Sequence, residues 1–247
     1  MRIAPFALLP LLLLVLPAPS RAQGSPAEAV AGGEIVAEAL FLADTLPAGS
    51  RDLSLSLALQ RGEPDPVTGE REVAAFPRLQ FAAPLGSRLG LLADVGIPAD
   101  GGGIDDVVLA FKATLREAAS GRTGFSASFD FHGSFDGDVE NAAGVALGAM
   151  RPLGPVTLRA SALAATAVST WSPRLHAGTS AALALGARWR VLAEVMADVT
   201  REETVFAAAP TLKVALGESV ALMAGALFEL APTPRSPVVA LQLTASM

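Results

Sequence analysis

The chain has 247 residues, of which 51% are hydrophobic and 17% charged, and its formal net charge is −6. An acidic chain with no basic stripe is a poor partner for nucleic acid, and that class is set aside. The absence of cysteine excludes disulfides, cysteine-ligated metals and a lipid anchor built on cysteine.

The N-terminus predicts a cleavable export signal over residues 1–22. Arg2 supplies the positive start, and Ala7 to Leu16 is an apolar run interrupted only by Pro10. Ser20-Arg21-Ala22 then places small residues at the cleavage positions. The run is too short for a transmembrane helix, which needs ~20 apolar residues. Loss of Arg2 and Arg21 takes the mature charge to about −8. Residues 23–49 do not alternate, and Glu28 to Leu42 suits a short helix or a plug in a barrel mouth.

From residue 50 onward a period of two dominates. Leu53, Leu55, Leu57 and Leu59 alternate with Ser54, Ser56, Ala58 and Gln60. Phe125, Ala127, Phe129 and Phe131 alternate with Ser126, Ser128, Asp130 and His132. Leu241, Leu243, Ala245 and Met247 alternate with Gln242, Thr244 and Ser246. Successive side chains on a strand point to opposite faces, so each segment has one oily face and one polar face. A helix would spread Leu53, Leu55 and Leu57 around its circumference. The pattern predicts about twelve strands, over 50–60, 72–82, 88–97, 105–117, 123–132, 141–151, 155–165, 176–187, 189–200, 204–216, 219–230 and 237–247. Each is near the ~9–11 residues with which a tilted strand crosses a membrane.

The connections alternate in kind. Pro84-Leu85-Gly86-Ser87, Ala119-Ser120-Gly121-Arg122, Pro152-Leu153-Gly154, Ala187-Arg188 and Gly217-Glu218 are tight. The intervening ones, such as Arg61 to Arg71 and Gly133 to Glu140, are mostly longer and more polar. Short turns at one end and longer loops at the other are the asymmetry of bacterial outer-membrane barrels, as is an even strand count. Residues 50–247 are therefore expected to form one all-β domain, a closed antiparallel up-and-down transmembrane β-barrel. Pro77 and Pro210 fall inside proposed strands, where a proline removes a ladder donor and marks either a bulge or a weak assignment.

The polar face is the expected lumen. Its charged and titratable members are Arg78, Asp94, Lys112, Arg116, Asp130, His132, Arg159, Arg190, Glu194, Asp198, Lys213 and Glu229. Small residues, among them Gly144, Ala146, Gly148, Gly178, Ala182 and Gly225, fill much of the remainder. Buried charges must be paired or wet, which a water-filled or ion-paired barrel interior provides. Small residues suit a narrow passage; the competing expectation is a structural barrel plugged by its own ion pairs. Charges of both signs argue against a strongly ion-selective pore. On the oily face, Phe76, Phe81, Phe111, Phe125, Phe129, Phe131, Phe206 and Phe228 supply the bulk, with Trp189 in a girdle position and Trp171 an ordinary loop residue.

Ser126, Ser128, Asp130 and His132 share one face of one strand and are the parts of a nucleophilic site. Residues two apart on a strand lie ~6.5 Å from each other, beyond hydrogen-bond reach without help from a neighbouring strand. A polar ladder is the expectation there, with a barrel hydrolase acting on lipid as the alternative. No catalytic residue, metal or cofactor is assigned. His176 opens a strand and reads as a surface residue, and two distant histidines make a poor metal site. Asp130, Asp136, Asp138 and Glu140 read as a solvated acidic loop, since their order is not that of a calcium loop. Asp100-Gly101-Gly102-Gly103 lacks the Lys-Ser/Thr of a phosphate loop.

Two stretches carry a resemblance. Ala43-Asp44-Thr45-Leu46-Pro47-Ala48-Gly49 leads into an alternating strand, and Gly101-Gly102-Gly103-Ile104-Asp105-Asp106-Val107-Val108-Leu109-Ala110-Phe111-Lys112 leads into another. Both resemble segments of the outer-membrane β-barrel family named for the meta-pathway of phenol degradation. The resemblance implies a Gram-negative outer-membrane, porin-like barrel that moves small molecules, apolar or aromatic ones among them. It also implies outer-membrane lipid and the barrel assembly machinery as partners. The chain departs from the family in ending on Met247 rather than an aromatic residue and in having no tyrosine. The expected function is passive transport or binding of a small-molecule solute, without catalysis.

Overall fold

The computed structural model describes residues 51–64, 71–97, 104, 106–135, 141–201, 203–231 and 237–246. The expected export signal, residues 23–49, Met247 and most of the two stretches that carry the family resemblance lie outside these residues. Among the described residues every regular element is a strand. In chain order they are β1 (Asp52–Pro64), β2 (Arg71–Pro84), β3 (Leu89–Gly96), β4 (Asp106–Arg116), β5 (Gly124–Ser134) and β6 (Ala142–Leu153). There follow β7 (Val156–Ala167), β8 (Pro173–Leu185), β9 (Trp189–Val199), β10 (Thr204–Ala215), β11 (Val220–Ala231) and β12 (Val238–Ser246).

Each strand pairs antiparallel with its neighbour in sequence, and β1 pairs with β12, so the sheet closes into a barrel with no free edge. The alternation in the sequence becomes the two faces of this barrel. Leu53, Leu55 and Leu57 of β1 stand opposite Ala245, Leu243 and Leu241 of β12, while Ser54 and Ser56 stand opposite Thr244 and Gln242. The first set is open, with Leu55 54% and Leu243 44% exposed; Ser54 and Thr244 are only 2% and 1% exposed. In a closed barrel the crowded concave face is the buried one, so serine and threonine face inward and leucine outward. The inversion runs round the barrel: Phe111 and Phe129 lie side by side on the outer face of β4 and β5, next to buried Lys112. An outer belt of this extent far exceeds the apolar patches of water-soluble monomers and matches the band that contacts lipid. Where large residues leave gaps on this face, alanines sit beneath them, as Ala149 and Ala160 do under Phe125 and Leu158.

Short turns join β2 to β3, β4 to β5, β6 to β7, β8 to β9 and β10 to β11, all at the end where β1 begins and β12 finishes. Gly121, Gly154 and Gly186 take positive φ in three of them, a conformation that side chains disfavour. The loop from β7 to β8 carries Trp171, an exposed residue also at positive φ (54°). Trp189 opens β9 beside a short turn and is exposed.

Neither proline breaks its strand. Pro77 keeps register opposite Leu57, and Pro210 opposite Ala193. The pairing of β10 with β11 skips Ala209 and Pro210 but resumes in register at Thr211, as expected where one amide donor is missing. The irregularities lie elsewhere, between Arg61 and Pro64, Thr114 and Arg116, and Phe206 and Ala207. Phe76 corrects the sequence expectation. It stands opposite Ala58, in phase with Arg78 and Gln80, and therefore on the inner face, whereas Pro77 takes the outer one.

The two-faced barrel makes a direct prediction. Phe129→Arg puts a charge into the middle of the outer belt and should lower folding stability in lipid vesicles by about 2–4 kcal/mol. Denaturant titration of the refolded barrel measures it, and an unchanged midpoint would mean that this face does not meet hydrocarbon.

Candidate functional site

The inner face is built from every second residue of all twelve strands. Its most confined part lies toward the short-turn end. There Arg159 of β7, Ser180 of β8, Glu194 of β9 and Ala209 of β10 follow one another across the sheet in direct register. Arg159 is 3% and Glu194 1% exposed, and Lys112 and Lys213 are similarly buried at 8% and 6%. Charges are tolerated in such a place only with partners or water beside them. Leu192 and Met223 complete the belt as its largest apolar members.

The hydroxyls of Ser161, Ser180 and Thr211 are buried here without a protein hydrogen-bond partner. A hydroxyl left in that condition costs ~1–3 kcal/mol, so these groups favour a polar guest, water or solute, over a dry packed core. Beside them, Lys112, Ser126, Ser128, Ala146, Gly148 and Ser161 surround a hollow of ≈ 10 Å³, close to the least space that holds one water. The hollow exists because β6 contributes Ala146 and Gly148 where larger side chains would fill it. A different chemistry prevails on β9 to β11, where Met196, Ala207 and Ala209 form an apolar wall with Leu227 against it.

Toward the long-loop end the inner face is organised by ion pairs. Arg78 of β2 bridges two strands: its Nε donates to Asp94 Oδ1 at 3.0 Å, and its Nη1 reaches Asp106 Oδ1 at 3.0 Å. His132 Nε2 of β5 lies 2.8 Å from Asp106 Oδ2. Four successive strands are thus tied across their inner faces. Gly96 makes the packing possible, because a Cβ there would collide with the Asp106 carboxylate and come within 3.3 Å of Arg78 Nη1. A second pair joins Arg174 of β8 to Asp198 of β9, with Nε 2.8 Å from Oδ1. At the seam where the barrel closes, Ser54 and Thr244 hydroxyls are 2.9 Å apart, and Ser246 Oγ donates to Asp52 Oδ1 at 2.6 Å.

Of the residues read as lumen-facing, Arg78, Asp94, Lys112, Asp130, His132, Arg159, Arg190, Glu194, Asp198, Lys213 and Glu229 stand on the inner face by register. Arg116 does not. The bulge after Thr114 brings it opposite Phe125, and it is exposed at the rim of the short-turn end. His176, read as a surface residue, is half-buried on the inner face between Leu163 and Asp198. Sequence reasoning missed Asp106 as a partner, although it keeps phase with Lys112, and missed Arg174 because β8 begins earlier than the alternation suggests.

Ser126, Ser128, Asp130 and His132 do share the inner face of β5. They are too far apart to assemble a nucleophile: Ser128 stands four residues from His132 along β5, ~13 Å at the rise of a strand, opposite Lys112 and Ala146. Among the described residues no three histidine, aspartate or glutamate side chains gather to hold a metal ion.

No family model matches the chain, and no characterised protein matches it by sequence. Solved structures match its fold. The KdgM porin in complex with disordered oligogalacturonate superposes with a TM-score of 0.62 at 7% identity, over 79% of this chain and 99% of that one. An outer-membrane channel from Pseudomonas putida F1 gives 0.58 at 11% identity, over 82% and 97%. Outer-membrane phospholipase A from Escherichia coli gives 0.50 at 10% identity, over 81% and 94%. At such identities the likeness is one of fold, that of the closed outer-membrane barrel.

The ionic ties at the long-loop end carry a measurable share of stability. Asp106→Asn leaves the Arg78 guanidinium and His132 short of a charged acceptor and should cost about 1.5–3 kcal/mol. Unfolding titrations of the variant in lipid vesicles test this, and a midpoint equal to that of the parent would show that the cluster contributes nothing.

Proposed function

We propose that this chain is an outer-membrane channel for small molecules, passive and without catalysis. One observation carries the reading: the barrel is inside-out, with charged and hydroxyl side chains enclosed and leucine and phenylalanine outside. Such a molecule is at home in a bilayer, where closure satisfies every strand edge. The unpartnered hydroxyls of Ser161, Ser180 and Thr211 favour a hydrated interior over a plugged one. Two of the solved barrels that share the fold are a porin and a channel by description.

The finer reading places the chain with the barrels of the meta-pathway of phenol degradation, on the two sequence stretches that resemble them. Small apolar or aromatic molecules are then the solute class. The mixed wall supports this: Leu192, Met223, Met196 and Leu227 offer apolar contact within an otherwise polar face. Outer-membrane lipid surrounds the barrel, the assembly machinery inserts it, and residues 23–49 serve as an N-terminal plug or short helix after removal of the signal. The lipid-hydrolase alternative has weaker support, because Ser128 stands four residues from His132 along β5, beyond hydrogen-bond reach.

Purified protein reconstituted into planar bilayers tests the proposal. Discrete conductance steps are expected, together with swelling of vesicles in small neutral solutes. Silent bilayers, with insertion verified by heat-modifiable gel mobility, would contradict the channel and favour a structural barrel.

A further inference from the structure

The charges of the inner face are of both signs, but one sign is in excess at each end. Antiparallel strands hide the order in the sequence, because each one runs opposite to the last. Placed by strand position, Lys112 of β4, Arg159 of β7, Arg190 of β9 and Lys213 of β10 all lie toward the short-turn end. Arg190 and Lys213 are directly opposite each other in register. Like charges so placed repel, and partners or water beside them must offset that repulsion. The described inner-face acids of this half are Glu194 and Asp52.

The long-loop half is the reverse. Asp94 of β3, Asp106 of β4, Asp130 of β5, Asp198 of β9 and Glu229 of β11 lie there. The described inner-face cations in that half are Arg78 and Arg174, with His132 and His176 beside them. At the opposite rim Arg51, Arg88, Arg116, Arg122 and Arg188 are exposed, against the acids Glu117 and Glu218. The basic half is also the more enclosed one: Lys112, Arg159 and Lys213 are all less than 9% exposed, whereas the side chains of Arg78 and Arg174 are 31% and 62% exposed.

We propose that the inner face forms two oppositely charged zones in series, acidic at the long-loop mouth and basic at the short-turn neck. On this account the pore favours anions and rectifies. The inference rests on the channel reading. Rings of charge in a confined, low-dielectric passage set which ion enters. Cations concentrate in the acidic zone and anions in the basic neck, and the neck, being more enclosed and so less screened by water, sets the overall preference. A positive potential on the long-loop side drives cations inward from the mouth and anions inward from the neck. Carriers accumulate where the zones meet, and current is high. The opposite polarity withdraws both and depletes the junction. The permeant solutes of this barrel are then small organic anions in preference to cations.

Single-channel current–voltage curves of the full barrel test this, in 0.1 M and in 1 M KCl. An engineered Ala187→Cys in the turn between β8 and β9, unique because the chain has no cysteine, reports the sidedness of insertion to an impermeant thiol reagent. At 0.1 M, where the Debye length is ~10 Å, the current should be about threefold larger with the long-loop side positive; at 1 M, where that length is ~3 Å, the ratio should fall close to one. A KCl gradient should give a reversal potential of anion preference, and Lys213→Glu should reduce both effects. Symmetrical curves at 0.1 M, or cation preference, would overturn the two-zone arrangement while leaving the channel intact. Absence of any current from inserted barrels would remove the channel itself, and this inference with it.

Discussion

The pairing of β1 with β12 is the constraint on which everything else depends. A strand edge facing hydrocarbon would strand a row of amide and carbonyl groups, each costing several kcal/mol. Closure removes that cost, and only then can leucine and phenylalanine face outward without an aqueous penalty. The seam is secured on both faces. Leucines of the two strands oppose each other outside, and inside the Ser54–Thr244 and Asp52–Ser246 hydrogen bonds cross it. With the sheet closed, the concave side must accommodate whatever the polar positions supply, and the ion pairs and hydroxyl belt follow from that confinement.

Inside, two regimes meet. The half toward the long loops is tied by side chains that reach from strand to strand, with Arg78 spanning β2 to β4 and Asp106 receiving His132 from β5. The half toward the short turns is more closely filled and relies on small residues to leave room. Ala146 and Gly148 on β6 are the clearest case, since larger side chains there would fill the space beside Ser126, Ser128 and Ser161. Where β6 is thin, Lys112 and the serines of β5 and β7 find space, and a water-sized hollow remains. An interior of this kind is a balance between charges that demand hydration and a circumference too small to admit much of it.

Much of the fold was legible because the physical signal is local. Strict alternation from Leu53 to Gln60, or from Leu241 to Ser246, needs only the period of the strand, and the structure places a strand at each proposed segment. The inner-face residues were legible for the same reason wherever phase persisted. The failures come where phase is broken or where partnership crosses strands. The bulge at Thr114–Arg116 swings Arg116 to the rim, and no single-strand pattern announces a bulge. Phe76 was assigned by its chemistry rather than by its phase with Arg78. The pairing of Arg78 with Asp106 depends on register across β3, and the segregation of charge by height depends on the direction of every strand at once. Neither is a property of any window of sequence.

The central claim is that polar side chains are enclosed while apolar ones meet lipid, and β12 offers the most direct test. Cysteines placed singly at 239 to 244 in this cysteine-free chain can carry spin labels, whose collisions with lipid-soluble oxygen and a water-soluble nickel complex are then measured in the reconstituted barrel. The account predicts a period of two: labels at Val239, Leu241 and Leu243 meet oxygen in the bilayer, and labels at Ala240, Gln242 and Thr244 are shielded from it. Uniform exposure to the aqueous reagent along the strand, or an alternation of opposite phase, would contradict it.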